Sequence, residues 1–258
     1  MNRKEQQAQR AKQEDEILNK VLWWIVGSVI LEALLLLLNK VFVNYTLDQI
    51  DLAVALREEV FPKLSIILPI CFVVLLVLWL LARKAGKLVR LTGGLTLAAL
   101  ILAVCAVVVR IFDNSGVKFL YTAVPAVAVL ALIYYLYQRE FFFSAVLSAL
   151  GLLGIKLVPR TGMSLVLSYG YAVVLAVVVV AALVLFRMLQ KNEGKLTVKG
   201  GPVQVLPKSA NYALMYVTCV LVAAVVAAAA VLGGLAVLYG VLVAWLLILA
   251  VYHTVRLM

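Results

Sequence analysis

Few residues in this chain have both the type and the placement to do chemistry away from water. Glu32 comes first: it lies eleven residues into an apolar run that starts near position 21, roughly 17 Å along a helix that rises 1.5 Å per residue. An ionised carboxylate at that depth of a membrane is costly, so acids placed there face a protein interior or a cavity. Glu32 is therefore expected to be neutral and hydrogen-bonded. By the same arithmetic Ser148, Ser168, Tyr171 and Tyr239 fall within a turn or two of that depth. These five residues form the candidate intramembrane site. Its chemistry would be proton or cation binding, or else an interhelical hydrogen bond that fixes packing. Shared depth does not by itself make contact.

The common catalytic constellations are missing. Metal-dependent cleavage would use HExxH, and the one histidine, His253, stands at the end of the last apolar run. Aspartyl chemistry needs two carboxylates at one site, and no apolar run contains an aspartate. A serine nucleophile needs a positioned base, and none is available at membrane depth. Gly194-Lys195 lacks the rest of a phosphate loop, since Leu196 follows it and Leu189 stands where the loop's first glycine would be. Cys71, Cys105 and Cys219 lie singly in different apolar runs, as small buried hydrophobes do. No catalytic residue, cofactor or metal ion is expected.

The elements that must position these residues are membrane helices. Of 258 residues 66% are hydrophobic and 14% charged, against about 45–50% and about 25% in soluble domains. Runs of about 20 apolar residues suit a hydrocarbon core ~30 Å thick. They predict eight spans near 21–41, 64–82, 93–110, 118–137, 141–158, 164–187, 211–231 and 234–253. The last two form one tract that would be about 62 Å long as a single helix, so it must fold back, and Gly233-Gly234 is its one glycine pair. The first run is too long for a signal peptide's h-region and no small-residue cleavage site follows it, so it is expected to stay as a span. The predicted fold class is all-α, a polytopic transmembrane helical bundle forming a single integral membrane domain.

Charge sets the expected orientation. The net charge of +11 would point to nucleic acid in a soluble protein, but here it sits in the connections between spans. With the N-terminus inside, 16 of the 23 basic residues fall on inner segments and 7 on outer ones, which favours both termini in the cytoplasm. The aromatic residues Trp23, Trp24, Trp79, Tyr134, Tyr212 and Tyr252 cluster at inner span ends, where amphipathic rings prefer to sit. Trp245 departs from this, near the middle of the last span. A bacterial-type plasma membrane is the expected location, the bilayer is the expected partner, and no nucleic acid is expected.

Two connections are expected to be structured, and residues 1–20 to form a charged inner helix. Thr46-x-x-Gln49 matches a capping box, and Leu47, Ile50, Val54 and Phe61 share one face of a helix over 46–61 that would lie on the outer leaflet. Within the inner loop 188–210, Lys195 to Leu206 alternates around Gly200-Gly201-Pro202 and resembles a small hairpin. A disordered basic loop fits that composition as well. Small residues at helical spacing mark packing faces: Ser144, Ser148, Gly151; Ser164, Ser168, Ala172, Ala176; Ala236, Gly240, Ala244; and Thr92, Thr96, Ala99, Ala103, Ala106. Such faces suit another membrane protein or a second copy.

Two functions fit. One is a non-catalytic subunit, assembly factor or scaffold of a membrane complex. The other is a small permease or channel for an ion, lipid or small solute, with Glu32 in its pathway. For either, reporter fusions after Glu16, Lys87, Lys195 and Met258 should report cytoplasm, and fusions near Asp51, Ser115 and Thr161 should report the outside. An outside signal from the 187–210 loop would overturn the span count or the orientation.

Overall fold

The computed structural model describes residues 3–86, 88–158, 165–198, 201–207 and 210–257. Almost all of them are helical, because a backbone in hydrocarbon can satisfy its polar groups only within itself. Among the described residues seven helices are long and apolar enough to cross a membrane. The chain divides into two compact units, Met1–Ala128 and Val129–Met258.

In the first unit α1 runs over Arg3–Leu38 and ends in one π-helical turn, Asn39–Val43. The Thr46 side chain makes no capping bond; instead its carbonyl accepts the Gln49 N–H at 2.9 Å. A 3-10 turn Leu47–Gln49, α2 (Ile50–Ala55) and a π-helical turn Leu56–Val60 then lead directly into α3, Phe61–Ala85. Helical backbone angles persist across the junction at Val60 and Phe61, so the helix expected over 46–61 continues into the following span. Gly86, left-handed at φ 69°, ends α3, the usual service of glycine at a helix C-terminus.

The next helix, α4, covers Val89–Leu136, 48 residues, or about 72 Å if it were straight. It is not straight. Asp113 has φ 46° and ψ −128°, and a Cβ on Gly116 would lie 2.6 Å from the Val108 carbonyl oxygen. In a straight helix those two residues would be about 12 Å apart along the axis, so the chain doubles back between them. The third and fourth apolar runs of the sequence fall on the two arms of this break. Arg57 clasps it: its Nη2 donates to Asn114 Oδ1 at 2.8 Å, its Nε lies 3.7 Å from Asp113 Oδ1, and its guanidinium covers the Phe42 ring at 4.9 Å. Phe42 meets Phe61 edge-on. These rings pack with Leu35, Val109, Val117 and Leu120 into the core of the unit. The small face of α4 is also used here: Thr96, Ala99, Ala103 and Ala106 are buried, and Thr96 donates to the Leu75 carbonyl of α3 at 3.1 Å.

The second unit is built around α5, Arg139–Leu157. Its small face is the reason: Ser144, Ala145, Ser148, Gly151 and Gly154 are all buried. Close backbone approach over such a face drives helix association in lipid. The remaining helices are α6 (Leu165–Lys191), α7 (Tyr212–Leu232) and α8 (Ala236–Leu257). A Cβ on Gly151 would meet Val222 of α7 and Leu242 of α8 at 3.0 Å; one on Gly154 would meet Val226 of α7 at 3.0 Å and Leu175 of α6 at 3.3 Å. The turn between α7 and α8 comes at Gly233, with φ 85°. Trp245 sits at mid-span because its indole N–H donates to Thr218 Oγ1 at 3.0 Å. In contrast, Ala236, Gly240 and Ala244 are exposed, so that face does not pack within the unit. Ser164 lies outside the described residues.

Between α6 and α7 the chain forms an antiparallel pair, β1 (Lys195–Val198) and β2 (Gly201–Gln204), with Leu196 opposite Val203. Two strands are marginal alone, and these are anchored. Gly194, at φ 81°, accepts the Val205 and Leu206 N–H groups at 2.9 and 3.2 Å. Leu206 is buried, and Arg139 at the start of α5 donates to the Gln204 and Val205 carbonyls.

The α4 reversal gives a direct test. Gly116→Ala should destabilise the protein by about 1–3 kcal/mol, the usual cost of overpacking, because the obstruction is backbone. Gly170→Ala, with open space around the new methyl group, should stay within about 0.5 kcal/mol of the parent. Thermal unfolding in detergent measures both, and equal melting of the two variants would contradict the reversal.

Candidate functional site

The densest polar grouping lies at one end of the second unit and starts from how α5 begins. Gln138 is extended (φ −66°, ψ 147°), and its carbonyl accepts the Phe141 and Phe142 N–H groups at 3.0 and 3.3 Å. Glu140 therefore sits in the first turn, where a carboxylate favours the positive end of the helix. It is also 1% exposed, although it occupies a three-residue link between apolar runs.

Its charge is met from two other helices. Glu140 Oε2 accepts the backbone N–H of Asn211, the residue capping α7, at 2.8 Å. The same oxygen accepts Arg256 Nη1, from the last turn of α8, at 3.2 Å. One carboxylate thus joins the ends of three helices. Charge-assisted bonds of this kind are the strong ones. His253, one turn before Arg256 and 2% exposed, stacks on Phe141 with ring centroids 5.3 Å apart. Around them Asn211 Nδ2 donates to Tyr252 Oη at 3.2 Å, and the hydroxyls of Tyr137 and Thr254 lie 3.1 Å apart.

Four buried atoms of this region have no hydrogen-bond partner among the described residues: Gln138 Oε1, Glu140 Oε1, Tyr212 Oη and His253 Nδ1. Buried polar atoms are normally paired, so this end of the bundle has spare hydrogen-bonding capacity. It can hold a buried ion pair and offer hydrogen bonds to a small polar group. Among the described residues no three His, Cys, Asp or Glu side chains are placed to hold a metal ion.

The residues expected from the sequence go elsewhere. Ser168 Oγ donates to the Val158 carbonyl at the end of α5, and Tyr171 Oη donates to the Leu150 carbonyl within it at 2.6 Å. Ser148 is fully buried on α5 with its Oγ unpartnered. Tyr239 is half-buried against the core. Ser168 and Tyr171 thus act on α5, as structural hydrogen bonds. Glu32 belongs to the first unit, half-buried on α1, with Oε2 shielded and unpartnered.

Glu140, Asn211, His253 and Arg256 were not visible as a group. They lie in a short link, in a later connection and at the end of the last apolar run, up to 116 positions apart. The one signal was the shortness of the link: three residues leave little room for an acid to reach water.

Removing Glu140 should cost far more than a surface charge. Glu140→Ala removes the acceptor shared by the Asn211 N–H and Arg256 Nη1, and breaking a buried pair costs about 3–5 kcal/mol. Glu140→Gln keeps an acceptor and should cost less. In a double-mutant cycle with Arg256→Ala the two losses should fall well short of additive; simple additivity in thermal unfolding would show that the pair carries no coupling.

No family model matches this chain, and neither a curated protein nor a solved structure matches it, so its function has to be read from these contacts.

Proposed function

We propose that this chain is a non-catalytic polytopic protein of a bacterial-type plasma membrane, with eight spans and both termini in the cytoplasm. Its role is that of a subunit, assembly factor or scaffold of a membrane complex. The observation that carries this reading is how the polar groups of the second unit are used. Glu140 joins three helix ends, and Arg139 beside it fixes the hairpin to the start of α5. Polar side chains there serve to hold a shaped surface at the end of the bundle.

The span count is supported by the break at Asp113. It divides α4 into arms of about 24 and 23 residues, each about 35 Å long, close to what a bilayer core requires. An even number of spans returns the C-terminus to the side of the N-terminus, and the excess of cations on the inner segments selects that side. Large apolar side chains of α1 and α3, among them Leu22, Trp23, Ile66 and Ile70, are exposed, as expected for helices facing lipid or another membrane protein.

A second reading rests on Glu32, whose shielded and unpartnered Oε2 suits a small permease in which this acid carries a proton or cation.

Purification of the tagged protein after mild solubilisation should recover a stoichiometric membrane partner, and recovery of this chain alone would count against the first reading. Substitutions of Glu32 separate the two. The hydrogen bond expected of Glu32 is not formed among the described residues, so in a scaffold both Glu32→Gln and Glu32→Leu should stay within about 0.5 kcal/mol of the parent. In a permease, Glu32→Gln should abolish flux while the fold survives.

A further inference from the structure

The last turn of α6 and the start of the hairpin form a basic corner. Arg187 and Lys191 are one helical turn apart on α6, hence on one face. Lys195 opens β1 four residues later. All three side chains are exposed. Among the described residues none of the three makes an ion pair. The nearest acid in sequence is the exposed Glu193, which leaves the corner with an excess of positive charge.

The corner is rigid. Gly194 N–H donates to the Leu189 carbonyl at 2.7 Å, Asn192 N–H to Met188 at 3.1 Å and Lys195 N–H to Asn192 at 3.0 Å. Glu193 and Gly194 both have positive φ, and a Cβ on Gly194 would collide with the Leu206 carbonyl. The backbone under the cations is therefore set by the fold. Their height is set by the helix. The apolar segment Ser168–Lys191 has 24 residues and is about 36 Å long, longer than the ~30 Å hydrocarbon core. Centred on that core, the segment would carry its last turn to headgroup level, and Tyr216, whose hydroxyl donates to Gln190 in that turn at 3.0 Å, is of the residue type that favours this level.

We propose that Arg187, Lys191 and Lys195 form a binding site for the phosphate headgroups of anionic lipids in the leaflet beside them. Exposed cations fixed at headgroup height meet lipid phosphates at high local concentration, and juxtamembrane basic clusters are drawn to anionic leaflets. Because the hairpin is locked to α6 and α5, lipid bound here also steadies the hairpin.

The test uses the full chain in nanodiscs of phosphatidylcholine, with or without phosphatidylglycerol. Native mass spectrometry counts retained lipid, and thermal unfolding reports stabilisation. Three variants are compared: the triple Arg187→Gln, Lys191→Gln, Lys195→Gln; the double Arg187→Gln, Lys191→Gln, in case the triple folds poorly; and a control of equal charge loss, Lys40→Gln, Lys118→Gln, Lys156→Gln. The parent and the control should retain phosphatidylglycerol over phosphatidylcholine by roughly threefold or more and melt higher in its presence. The triple should lose both effects and the double most of them. Retention of the enrichment by the triple, or its absence in the parent, would overturn the proposal. Inorganic phosphate at matched ionic strength should not stabilise the parent in phosphatidylcholine; stabilisation that the triple lacks would assign the corner to free phosphate instead of lipid.

Discussion

The second unit depends on a charge taken out of water. Glu140 is 1% exposed, and an isolated carboxylate in such a place would be strongly unfavourable. It is tolerated because the start of α5 favours negative charge, the Asn211 N–H would otherwise lack a helical partner, and Arg256 supplies the opposite charge from the last turn of α8. Each of the three helix ends relieves part of the cost, and the arrangement works only when all three are present. That makes the cluster a specification of register: sliding α7 or α8 by one turn would leave the carboxylate and its partners stranded. Buried ion pairs are often neutral in stability against an apolar core, so its value here lies in fixing which ends meet.

The dry part of the bundle follows from the opposite property, a lack of side chain. Gly151 and Gly154 let α5 approach Val222, Leu242, Val226 and Leu175 closely, where larger residues would hold the helices apart. Polar side chains pair locally, the Tyr171 hydroxyl donating to the Leu150 carbonyl and the Trp245 indole N–H donating to the Thr218 hydroxyl oxygen. The first unit uses other means. Its core is made of large residues, Phe42, Phe61 and Leu35, and Arg57 closes the α4 turn at Asp113 and Asn114.

Most of the helical plan was legible because apolar length is a strong signal. The fold-back at Gly233, the small face of α5 and the pairing of β1 with β2 all follow from local composition. The connection after Thr46 was read as a helix lying on the outer leaflet because Leu47, Ile50, Val54 and Phe61 share one face. Only the backbone reveals that it joins α3 without a break. The candidate site was the least legible part. Depth along a helix can be computed from sequence, so Glu32, Ser148, Ser168, Tyr171 and Tyr239 stood out. Contact between Glu140, Asn211 and Arg256 spans 116 positions of sequence, and no single-chain pattern encodes it. Ser168 and Tyr171 turned to backbone carbonyls because hydroxyls in a dry bundle take the nearest acceptor.

The central claim is that Glu140 holds the start of α7 and the end of α8 against α5, with the hairpin fixed beside it by Arg139. Amide hydrogen exchange of the parent and Glu140→Ala in the same detergent tests it most directly. Protection at Asn211 and in the first turn of α7 should be strong in the parent and fall sharply in the variant, with a smaller fall at Val205 and Leu206, while amides from Ser148 to Gly154 in mid-bundle stay protected in both. Unchanged protection at Asn211 on loss of the carboxylate would contradict the account.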